Sequence, residues 1–168
     1  AFRALFRDLF FEVPLPFGDH REPRNRLDDR LALHALHDLH ALTGGDQVPV
    51  APAGPGRELL KRGPRIVIIK KGEHRALMFS GDEIFSAPSF PIEEVVDPTG
   101  AGDSFAGGLM GYLAKTDDIS LENLRRAVVY GTVVASTTVQ DFSLRSIMAT
   151  TPQLVDDRFA TVQALSRF

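Results

Sequence analysis

The run Asp97-Pro98-Thr99-Gly100-Ala101-Gly102-Asp103 has the residue types of an anion site: two carboxylates six positions apart, with two glycines between them. Glycine costs conformational entropy inside a helix and carboxylates resist burial, so an ordinary interior helix does not begin this way. A helix starting near Gly100 to Gly102 leaves its first amides without intrahelical acceptors, free to face a phosphate, and its dipole adds favourable potential. Ala101 is small enough to let a ligand approach those amides. Asp103 is the contradiction, because a carboxylate beside a phosphate pocket repels the ligand. General-base chemistry supplies a role: Asp103 accepts the proton of an alcohol as that alcohol attacks a terminal phosphoryl group, while the amides stabilise the group in transfer. The same spacing suits a plain dipole partner in a first helical turn, and on spacing alone both readings stand. Asp97 also reads as the start of an Asp-Pro-Thr turn, with Pro98 restricting it to an extended backbone.

Strands must deliver the chain to this run and helices must carry it away. Residues 65–70 form a buried-strand candidate, Lys71-Gly72-Glu73 a turn, 75–80 a second strand, Gly81-Asp82 a hairpin and 83–87 a third strand. Residues 92–96 are expected as the last strand before Asp97. From Ala101 the period becomes helical, placing Phe105, Leu109, Tyr112 and Leu113 towards a sheet, with Gly107, Gly108 and Gly111 permitting close backbone approach. A second helix is expected from Leu121 to about Thr138, packing through Leu121, Leu124, Val128 and Ala135 and capped by Ser120. A terminal helix carries Pro152 in its first turn and Val155, Phe159, Val162 and Leu165 behind it. The fold class is α/β, with strands followed by helices packed on a sheet.

The earlier part of the chain is less regular. Residues 28–42 read as a helix with Leu31, Ala35, Leu39 and Leu42 near one stripe, and 44–64 as a loop holding nine glycines and prolines, broken by a brief turn at 57–61. His34, His37 and His40 lie three residues apart, but the third drifts around a helix, which favours a polar face or interface over a metal cluster. Residues 1–27 hold five phenylalanines that require a partner surface, in this domain or in a second copy, giving a possible homodimer.

Composition narrows the classes of function. The 168 residues carry a net charge of −3 with mixed signs, which supplies no basic field for nucleic acid. The absence of cysteine excludes disulfides, thiolate nucleophiles and thiolate metal sites. No apolar run approaches the roughly 20 residues that span a bilayer, and the first residues lack a signal-peptide pattern, so the expected location is cytoplasmic. No paired-carboxylate glycosidase pattern, serine triad, zinc signature or Walker loop is present.

Val95-Val96-Asp97-Pro98-Thr99-Gly100-Ala101-Gly102-Asp103-Ser104-Phe105-Ala106-Gly107-Gly108 resembles the carboxy-terminal signature of the ribokinase-like (PfkB) carbohydrate kinases, a likeness running from about residue 65 to 165. The chain accordingly divides into a poorly matched segment, 1–64, and a nucleotide-side α/β region, 65–168, of a partial ribokinase-like fold in which no substrate lid is recognised. The resemblance implies ATP-dependent phosphoryl transfer to a sugar or nucleoside hydroxyl, with Asp103 as catalytic base and Gly100, Ala101 and Gly102 as anion hole. It further implies magnesium with the nucleotide, and potassium or another monovalent cation near Asp97 and Thr99. Gly72 stands where a strand-end glycine approaches the nucleotide, with Lys70, Lys71 and His74 beside it as charged turn residues that more commonly face solvent than phosphate. Val129, Gly131, Ala135 and Ser136 resemble the segment lining the adenine side, although small residues suit tight helix packing equally. Three departures limit the likeness. Ser143 stands where relatives place a glycine, Ala35 falls at the position of an amide that organises magnesium, and the acceptor-binding half is not recognisable. The alternative is a catalytically incomplete, nucleotide-binding or structural remnant that self-associates.

Overall fold

The computed structural model describes residues 31–35 and 53–167. Its elements, in chain order, are β1 (Leu31–Ala35), α1 (Ala53–Leu60), β2 (Ile66–Lys70), β3 (Ala76–Ser80), β4 (Glu83–Ala87), α2 (Ala101–Thr116), α3 (Leu121–Thr138), α4 (Arg145–Ala149) and α5 (Pro152–Leu165). The four strands neighbour one another in chain order, β1-β2-β3-β4. Two compact units divide the chain: one holds residues up to Ile69 with Phe79–Glu83, the other Lys70–Met78 with Ile84–Phe168.

In the first unit, Val67, Ile68 and Ile69 are fully buried in succession. Side chains alternate between the faces of a strand, so an unbroken buried run means that both faces of β2 are covered. Gly56 of α1 lies so close to Phe79 that a Cβ there would stand 2.5 Å from the ring. The expected loop at 44–64 therefore holds an eight-residue helix, Ala53–Leu60, where only a brief turn was expected. Its glycines, Gly54 and Gly56, lower helix propensity, but Leu59 is buried and Gly56 admits the aromatic ring.

In the second unit, Ala76, Leu77 and Met78 are buried, and Phe105, Ala106, Leu109 and Leu113 form the inner face of α2. The helices follow their sequence signals closely. Ser120 caps α3 by accepting the Asn123 amide at 3.3 Å, and Thr151 caps α5 by accepting that of Leu154 at 3.2 Å, with Pro152 in the first turn. Gly108 lets α3 approach α2, since a Cβ would meet Val134 at 2.8 Å and the Tyr130 carbonyl at 3.1 Å. Gly107 and Gly111 have open space instead. Tyr130 of α3 stacks between Tyr112 of α2 and Phe159 of α5, with centroid distances of 4.2 and 4.5 Å.

Two further expectations fail. Leu31–Ala35 is a strand and not part of a helix over 28–42; Leu31, Leu33 and Ala35 alternate with Ala32 and His34, and pairing beside β2 selects that period. His34 is thus in a strand, while His37 and His40, like the phenylalanine-rich 1–27, lie outside the described residues. Residues 92–96 form no strand, and Val95 and Val96 are about half exposed. The amides of Val96 and Asp97 instead donate to the Val139 carbonyl at 2.8 and 3.3 Å, which ties the segment to the end of α3.

Candidate active site

Gly100 caps α2 in the left-handed region at φ 80°, a conformation that costs a residue bearing Cβ about 1–2 kcal/mol. The turn before it is closed by Asp97, whose Oδ1 accepts the Thr99 amide at 2.9 Å. Hydrogen bonds from the Thr99 side chain and amide, with a smaller contribution from the Ser143 amide, hold the Asp97 carboxyl below the usual carboxylate range. Ser143 reaches that position with φ 62°. The residue that departs from the expected glycine therefore adopts the backbone that glycine favours.

The amides at the head of α2 are not equivalent. Ala101 donates to the Pro98 carbonyl at 3.2 Å and Ser104 to the Gly100 carbonyl at 2.9 Å. The amides of Gly102 and Asp103 have no acceptor among the described residues, and are the donors left for an anion. Asp103 itself is exposed in the first turn, beside those donors. Ser104 accepts the Thr138 hydroxyl at 2.7 Å, fastening the start of α2 to the end of α3. Neither member of that clamp stood out in the sequence, because their 34-residue separation carries no local signal.

Lys70 is the other residue that sequence reasoning undervalued. It ends β2, is half-buried, and donates from Nζ to the Gly102 carbonyl at 3.3 Å. Nζ also stands 5.7 Å from the Phe105 ring centroid. Burial lowers its pKa, and the nearby Asp103 carboxylate opposes that shift. A lysine closing a wholly apolar strand was the available sequence signal.

The remaining candidates are spread along the unit. Gly72 is exposed in a single 3-10 turn at φ 57°, with open space beside its Cα, and its carbonyl accepts the Ser89 hydroxyl at 3.1 Å. Val129 is buried. Gly131 is buried where a Cβ would meet the Phe105 carbonyl at 2.9 Å, so its smallness serves the contact of α3 with α2. Ala135 is half-buried. The Ser136 hydroxyl is occupied, donating to the Val133 carbonyl at 2.6 Å and accepting Arg158 Nη1 at 2.8 Å. Among the described residues no three His, Asp or Glu side chains gather as metal ligands.

Residues 35–151 match the pfkB family carbohydrate kinases, and the chain belongs to that family. It is 43% identical over 113 residues to the cytidine kinase of Thermococcus kodakarensis, a match covering 66% of this chain and 33% of that protein. Aminoimidazole riboside kinase from Salmonella enterica, crystallised with aminoimidazole riboside and an ATP analog, superposes with a TM-score of 0.65 at 23% identity over 76% of this chain and 41% of that one. A fructokinase double mutant from Vibrio cholerae, in a form bound to fructose, ADP and potassium ion, gives a TM-score of 0.65 at 17% identity, covering 76% and 40%. The chain thus spans about a third of that curated relative and two fifths of those structures. Together these comparisons give a partial ribokinase-like α/β fold.

Proposed function

We propose that this chain is the nucleotide-side portion of an ATP-dependent sugar or nucleoside kinase. The observation that carries the reading is the head of α2, where an exposed Asp103 carboxylate stands beside the acceptor-free amides of Gly102 and Asp103. In the reaction, the acceptor hydroxyl oxygen bonds to the terminal phosphorus of ATP as the bond to the ADP oxygen breaks. Asp103 takes the hydroxyl proton and later returns it to water. The amides, with the left-handed Gly100 turning the chain towards them, bind the transferring phosphoryl oxygens. Ala101 keeps the approach clear. Gly72, Gly131, Ala135 and Ser136 are assigned to the nucleotide's environment, Gly131 and Ser136 acting through the packing of α3.

The described residues do not assemble a protein site for magnesium. A magnesium ion would come with the nucleotide phosphates, which are ordinary ligands for it. Asp97 and Thr99 are the candidates for a monovalent-cation role behind the hole, although Asp97 already accepts the Thr99 amide. Self-association rests on the phenylalanine-rich beginning, outside the described residues. No helix among them is long and apolar enough to cross a membrane.

The test is transfer of phosphate from magnesium ATP across a panel of sugars and nucleosides, with and without potassium, using wild type and D103N. The kinase reading expects turnover that D103N reduces by about 10²- to 10⁴-fold. Nucleotide binding with no turnover on any acceptor favours the incomplete remnant.

A further inference from the structure

Resting on the kinase reading, we propose that Lys70 is a further phosphate-binding residue of this chain, its ammonium reaching from the end of β2 to the terminal phosphate of the nucleotide at the head of α2. The lysine crosses 32 positions of sequence to donate to Gly102, the residue whose amide is one of the two left without an acceptor. An ammonium has three protons. The Gly102 carbonyl takes one, and the other two have no protein acceptor among the described residues.

A purely structural role fits this position poorly. Half-burying a charge costs free energy, and the compensation here is one hydrogen bond of 3.3 Å to a neutral carbonyl, a Phe105 ring 5.7 Å away and the attraction of Asp103, which together leave two N–H groups unused. Methionine or leucine would cover Phe105 without that cost. A Cβ at residue 102 would stand 3.0 Å from Nζ, so glycine there leaves the ammonium in place without adjustment. Gly102 thus presents its amide and leaves space for the lysine. The charge also answers the difficulty posed by Asp103, since a phosphate arriving beside that carboxylate meets repulsion that a cation held against the same turn offsets. The neighbouring basic residues are placed differently. His74 is exposed, with Nε2 lying 3.5 Å from Glu73 Oε1, and Lys71 has no side-chain contact with α2 among the hydrogen bonds and ion pairs.

Equilibrium binding of magnesium ATP and magnesium ADP to wild type, K70M and K70Q tests the assignment, with thermal unfolding of each variant as the measure of folding. A terminal-phosphate contact predicts about a tenfold or greater loss of ATP affinity in both variants, with ADP affinity held within about threefold. Equal losses for ATP and ADP indicate a packing role and overturn the proposal, as does wild-type ATP affinity in both folded variants. Wild type that binds neither nucleotide removes the kinase reading and this proposal together. That outcome is distinguishable from wild type that binds ATP and variants that match it.

Discussion

Asp103 was singled out as a candidate because its neighbours are glycines and its position is the start of a helix, both local facts. Lys70 and Ser143 were not legible in that way. Lys70 acquires its surroundings from a helix 32 residues later, and Ser143, marked in the sequence by standing where relatives place a glycine, shows its strain in a backbone angle of 62°. A left-handed residue with a Cβ pays a conformational cost that glycine avoids. S143G is therefore expected to stabilise the protein by about 1 kcal/mol, read as a higher urea midpoint at unchanged slope. An unchanged or lower midpoint would show that the serine side chain compensates for its backbone.

At the scale of elements, α2, α3 and α5 were legible because periodicity, caps and proline placement all agreed. β1 was misread because Leu31 and Ala35 fit a helical stripe as well as an alternating strand, and only pairing beside β2 decides between them. Residues 92–96 failed for the opposite reason: their apolar run is strand-like, but it pairs with no strand, and the Val96 amide is taken by the Val139 carbonyl at the end of α3. The α2–α3 contact is tight enough to test directly. A Cβ at Gly131 meets the Phe105 carbonyl at 2.9 Å and its ring at 3.0 Å. G131A should cost about 1–3 kcal/mol of stability through overpacking, and differential scanning calorimetry will show it as a lower Tm. Tyr130 provides a second test of helix packing. Burial first, and then its 2.6 Å hydrogen bond to Asp156, push its pKa from 10.0 up to about 12. The fold therefore favours the neutral phenol. Its contribution is fully present below pH 10 and is lost as pH rises through about 12. Wild type should lose stability over that window more steeply than Y130F, as measured by urea unfolding at several pH values; parallel curves would contradict the assignment.

At the scale of the whole molecule, the family match extends from residue 35 to 151 and so begins well before residue 65, where the likeness of the motifs starts. The weaker early likeness has a physical origin: β1 and α1 carry few chemistry-bearing residues. The chain corresponds to about a third of the length of the cytidine kinase it resembles. The proposed chemistry needs donor phosphate, base and acceptor hydroxyl brought together; on that proposal the head of α2 supplies the phosphate-binding amides and Asp103 the base. The most direct measurement is transfer of the terminal phosphoryl group from magnesium ATP to the sugar and nucleoside panel by wild type and D103N at matched, saturating nucleotide. The prediction is transfer by wild type, reduced by about 10²- to 10⁴-fold in D103N with ATP affinity retained. Transfer by D103N at the wild-type rate would contradict Asp103 as the base.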